Sequence, residues 1–253
     1  MSTEPLEQAA RAALDEVFDP ELDEPITDLG FVSSLEVTHS GNVTVHLRLP
    51  TSFCAPNFAY LMVSDAKDVL SALPQAREVV VVLDDHHDSD RINRGVAADA
   101  GYRGTFGEEA AQDLDELRST FRRKAHTAAM ERVLTILLRS DPDLTEEGLH
   151  EVTLGDLPEA PTTRALLRRR EALGLSRART EKVLVDDHGN PHPREEIPLH
   201  LRFARSVRVS IEGNAHFCRG LLRTRYPDST HDQAPHAQAG TYAGARNDRG
   251  DTP

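Results

Sequence analysis

Two cysteines, Cys54 and Cys218, are the only thiols in the chain. They are too few for a disulfide framework and far apart in sequence, so reduced thiols in a reducing compartment are expected. No apolar run approaches the ~20 residues that a membrane-spanning helix needs. The N-terminus, M-S-T-E-P-L-E-Q, lacks the basic and apolar regions of a secretory signal, and a cytoplasmic protein is expected. A basic excess is also missing. The formal net charge of −13 argues against general nucleic-acid or anionic-membrane binding, both of which need a positive footprint. Finally, no G-x-x-x-x-G-K-[ST], G-x-G-x-x-G, G-x-S-x-G or H-E-x-x-H string occurs. The motif-recognised ATPase, dinucleotide, hydrolase and zinc-protease readings therefore lose their main support.

The 253 residues are 38% hydrophobic, enough to build a real core. The acidity is uneven: residues 1–140 carry 24 acidic and 13 basic side chains, residues 141–253 carry 18 and 16. That contrast marks a candidate boundary near residue 140. Along the chain, Leu6, Ala9, Ala10, Ala13, Leu14 and Val17 trace one apolar helical face. The stretch D-P-E-L-D-E-P (Asp19 to Pro25) then forbids a continuing helix and predicts an acidic, turn-rich loop. F-V-S-S-L-E-V-T-H and V-T-V-H-L-R-L flank Ser40-Gly41-Asn42 as a predicted hairpin, with Val43, Val45, Leu47 and Leu49 on the covered face. After Cys54 a second amphipathic helix runs to Pro74, and the β-branched run ending at Leu83 predicts a third strand.

The expected fold class is α+β: a helix-strand-strand-helix-strand domain over residues 1–100, with helices on one face of a small mixed sheet. Gly101 to Gly107 reads as a flexible glycine-rich link, followed by a long amphipathic helix to residue 140. Residues 141–227 are expected to form a smaller α+β region, with a basic helix Arg164–Arg170 and strands at Lys182–Val185 and Val207–Ile211. Residues 228–253, without apolar periodicity, read as a disordered tail.

Three strings in order carry a family resemblance: D-P-E (Asp19 to Glu21) after the first helix, D-L-G-F-V (Asp28 to Val32) opening the first strand, and T-S-F-C-A-P (Thr51 to Pro56) at the turn. Residues 5–98 with this pattern resemble the small metal-sulfur cluster assembly factors, the MIP-type domain of SufT-type and PaaD-type proteins and of the eukaryotic cytosolic iron-sulfur targeting factor. The family's usual Cys-Pro pair is Cys-Ala-Pro here. Residues 108–253 match no pattern of that family.

Cys54 is expected between a strand end and a helix N-terminus, where free N–H groups and the helix dipole favour a thiolate, the species that binds iron, zinc or a cluster. A small buried apolar role is the structural alternative. The resemblance adds Asp19, Glu21 and Asp28 as cofactor-site candidates near the thiol, against ordinary turn-holding by Asp. Thr51 either bonds the sulfur or caps the helix. His86 and His87, among Asp84, Asp85, Asp88 and Asp90, form the most metal-like cluster by composition, a solvated acidic loop being the alternative. His216 and Cys218, two apart, would share a face of a strand.

One cysteine cannot fill the four ligand positions of an ordinary cluster. A bound iron or iron-sulfur cluster would therefore be transient and shared, with a second copy in a homodimer, with a client apoprotein or with an external thiol. The function implied is that of a non-enzymatic, bacterial-type assembly or maturation factor delivering metal to a client metalloenzyme. A metal-free protein-protein adaptor and an iron- or zinc-dependent enzyme using the His86/His87 loop are the alternatives.

Overall fold

A computed structural model describes residues 3–110 and 114–227. The tail expected to be disordered from Asp228 lies outside the described residues. Helix α1 (Glu4–Leu14) buries Leu6, Ala10 and Leu14, and it is followed by β1 (Phe18–Asp19) and β2 (Glu24–Pro25), which pair as a two-residue antiparallel ladder. The acidic loop is thus pinned at both ends. Asp23 adopts φ +55° between the two short strands.

Strands β3 (Val32–Val37), β4 (Val43–Arg48) and β5 (Val79–Asp84) form one mixed sheet in that order, β3-β4 antiparallel and β4-β5 parallel. Val43, Val45 and Leu47 alternate on the covered face, where α1 and α2 (Pro56–Ser71) pack. The chain enters β3 through Gly30, whose φ of +77° is a left-handed conformation that side chains resist.

Residues Gly101–Phe106 correct the expectation of a flexible link. They form α4, packed against α3 (Ser89–Ala97). Tyr102 and Phe106, one turn apart, stack edge-on against Tyr60, and burial of those rings outweighs the glycines. Gly95 makes the packing possible, since a Cβ there would sit 2.0 Å from Thr105 Oγ1.

Helix α5 (Leu114–Ser140) is the expected long helix. With α6 (Pro161–Ala172) and α7 (Ile197–Arg225) it forms a second core around Leu134, Leu149, Leu166, Val183, Ile197 and Leu201. The two C-terminal strands are a correction. Lys182–Val185 makes only isolated bridges, Thr153 to Lys182 and Val185 to Pro191, and Val207–Ile211 lies inside α7. Around that β-branched run, Ile197, Leu201, Ala204, Ala215 and Leu222 are buried at helical spacing, and tertiary packing overrides local strand preference. Among the described residues no helix is long and apolar enough to cross a membrane.

Candidate functional site

Strand β4 ends at Arg48, and the turn Leu49 to Ala55 carries Cys54 to the start of α2. Pro56 takes the first helical position and Ala55 the cap, with no side-chain cap bond. The alanine between Cys54 and Pro56 thus sets the thiol two residues ahead of the helix. Thr51 does not cap that helix. Its Oγ1 accepts the Phe53 N–H at 3.2 Å and lies 3.4 Å from Cys54 Sγ, so its own proton is available to the sulfur.

The loop after β5 braces this turn from the other side. His86 is buried, donates Nε2–H to the Cys54 carbonyl at 2.8 Å, and accepts the Asp88 N–H on Nδ1 at 3.1 Å. The His87 N–H bonds the Ser52 carbonyl at 2.9 Å. The His86/His87 metal candidate is corrected accordingly. Both ring nitrogens of His86 are committed to backbone, and the exposed His87 ring stacks on Phe53, 5.9 Å between centroids.

Cys54 lines a small cavity of about 100 Å³ together with Asp19, Glu21, Phe31, Phe58 and Cys218. Asp28 is exposed and does not line it. Asp19 is buried, and its Oδ1 accepts the N–H groups of Glu21 at 2.9 Å and Leu22 at 2.8 Å, the turn-holding role of aspartate. Burial pushes its carboxyl up to about 6, against the lowering effect of those two bonds. Asp19 also borders a larger cleft of about 350 Å³ between the N-terminal domain and α5/α6. There charges pair across the seam, Arg118 with Asp65 and Arg169 Nε with Asp23 Oδ2 at 2.7 Å, so part of the basic helix meets the N-terminal domain.

The arrival of Cys218 at this cavity is the feature that sequence reasoning missed. On α7, residues 216 and 218 are about 200° apart, so the expected His216/Cys218 chelating pair is corrected: His216 is exposed while Cys218 faces inward. The face that matters is Ala215, Cys218, Leu222 and Tyr226, at spacings of three and four, packed on the N-terminal core. Those spacings were readable as helical. Polar ties fasten the same end of α7 around the cavity. Asn214 Nδ2 donates to Glu21 Oε1 at 3.3 Å, Arg219 pairs with Glu24, and Arg225 donates to the carbonyls of Leu49, at 3.2 Å, and Asp85. Tyr226 donates its hydroxyl to Asp85 Oδ2 at 3.1 Å and lies under the Arg48 guanidinium. Burial first, then the negative charges of Asp19, Cys54 and Glu21, push the Cys218 thiol up to about 11. Among the described residues no three His, Cys, Asp or Glu side chains are arranged to hold a metal ion.

Comparison with known proteins bears on the same segment. None of the curated proteins compared matches the chain. A solved structure described as a domain of unknown function, DUF59, from Bacillus anthracis is 30% identical over 41% of this chain and 98% of its own length, with a TM-score of 0.31. The sequence profile of the family described as iron-sulfur cluster assembly protein matches residues 7–82, which hold the acidic loop, β3, β4, the Cys54 turn and the first part of β5. Over residues 7–82 the chain is thus similar to the iron-sulfur cluster assembly protein family.

Proposed function

We propose that the protein is a maturation factor that takes up iron or an iron-sulfur cluster transiently at the Cys54 turn and hands it to a client apoprotein. The observation that carries this reading is the placement of Cys54. Within the family-matched segment its thiol sits half-buried on the wall of a cavity, with a hydroxyl 3.4 Å from the sulfur and a backbone braced by His86. A braced turn fixes the direction in which the sulfur is offered, and the Thr51 hydroxyl lies within hydrogen-bonding reach of it. The cluster is cargo, and the protein acts as carrier and not as catalyst. Its remaining ligands come from the client, a second copy or an external thiol, which makes release part of the binding geometry.

Phe53, 80% exposed beside the thiol and stacked on His87, supplies an apolar anchor for a client next to the donor atom. That same exposed ring favours a second reading, a metal-free adaptor that docks an enzyme component. Anaerobic reconstitution with iron and sulfide separates the two. The carrier predicts that Cys54→Ala loses most of the bound iron and of its transfer to an apo-acceptor. Equal binding and transfer by both proteins would contradict the thiol mechanism. Client capture that survives Cys54→Ala, from a wild type that takes up no iron, would identify the adaptor.

A further inference from the structure

The C-terminal half of the chain supplies the second sulfur. Cys54 leaves β4 and Cys218 stands on α7, and both line one cavity of about 100 Å³ walled by Phe31, Phe58 and Asp19. This is not a chance meeting of two surface thiols. Ala215 and Leu222 on the same face of α7 are buried in the N-terminal core, Asn214 and Arg219 tie the helix to Glu21 and Glu24 of the acidic loop, and Arg225 ties it to the Leu49 carbonyl at the start of the Cys54 turn. The side chain that α7 delivers between those anchors is the thiol. Both cysteines are free, and neither is fully buried.

We propose that Cys54 and Cys218 together form a two-thiolate site for a divalent cation of borderline softness, iron(II) being the natural occupant. The inference rests on the carrier reading of Cys54 and deepens it by adding a ligand in cis from outside the family domain. Thiolate pairs select such ions over magnesium or calcium, which prefer oxygen donors. Asp19 Oδ1 is committed to backbone N–H groups, and the site is counted on its two sulfurs alone. Two sulfurs leave further coordination positions for water, sulfide or a client side chain. Binding displaces both thiol protons to solvent, with no change in oxidation state.

The experiment uses the full chain, reduced and anaerobic, with cobalt(II) alone as the spectroscopic probe. Thiolate-to-cobalt charge-transfer absorption per bound ion reports the number of sulfur ligands. Wild type is expected to show twice the intensity of Cys54→Ser or of Cys218→Ser, and the double variant none. If Cys218→Ser equals wild type while Cys54→Ser loses the band, the second ligand is wrong and the Cys54 carrier stands. If neither single change has an effect, both fall. A measurement on wild type alone guards against a variant that misfolds: pulsed alkylation with iodoacetamide, read by mass spectrometry. Cobalt(II) is expected to protect both thiols, and protection of Cys54 alone overturns the proposal.

Discussion

Asp19 is a buried carboxylate held by two backbone N–H groups at the point where the thiol cavity meets the larger interdomain cleft. Its folded-state value of about 6 lies above the value near 3.8 of an unperturbed aspartate. A raised folded value means that the native state holds the proton more tightly than the unfolded chain. The resulting stability is fully present below about pH 4 and is lost as pH rises through about 6, a loss on the order of 3 kcal/mol. Asp19→Asn keeps a carbonyl acceptor for the two N–H groups and removes the ionisation. The variant should melt at the wild-type temperature near pH 4 and several degrees higher above pH 7. A difference independent of pH would contradict the assignment. His126, whose imidazole is pushed by burial and by Arg170 and Arg169 down to about 4, titrates in the same window in both proteins and cancels in the comparison.

Helix α7 links the two cores, and beside the apolar core it shares with α5 and the Arg132–Glu212 pair, one buried carboxylate joins the two helices. Glu131 accepts from Thr135 Oγ1 at 2.7 Å, Arg205 Nε at 3.1 Å and Arg208 Nε. Burial would raise its carboxyl, but these three hydrogen bonds outweigh that and hold it below the usual range. Glu131→Gln leaves Arg208 with Glu212 as its other partner and the half-exposed Arg205 partly served by solvent, so the change should cost about 2 kcal/mol, read as a lower urea midpoint. A change under about 0.5 kcal/mol would show that the arginines are equally well served by solvent. The elements of the N-terminal domain were legible because each carries one clean period. Val43, Val45, Leu47 and Leu49 alternate, and the residues of α1 recur every three or four. Gly101–Phe106 and Val207–Ile211 were misread for one shared reason. Their local composition favours a link and a strand, whereas their structure is set by distant partners, Tyr60 for the first and the packed faces of α7 for the second. The convergence of Cys54 and Cys218 on one cavity brings together residues far apart in sequence, and no local pattern announces it.

At the scale of the whole molecule, an N-terminal domain whose residues 7–82 match the iron-sulfur cluster assembly family is clasped by a helical addition that the match does not reach. The clasp is mostly ionic at its seams, through Arg118 with Asp65, Arg169 with Asp23 and Arg219 with Glu24. Against the N-terminal core it is apolar, through Ala215 and Leu222. That arrangement leaves the addition close enough to shape what the Cys54 turn binds, while Phe53 stays open to a partner. Whether Cys54 contacts the metal is read by iron-edge X-ray absorption on the full chain loaded anaerobically with iron(II) and no added sulfide, so that any sulfur neighbour is protein thiolate. Wild type is expected to show iron-sulfur scattering from protein thiolate, and Cys54→Ser to lose at least half of its amplitude per bound iron. Iron bound through nitrogen and oxygen alone, or an unchanged spectrum in the variant, would contradict that contact.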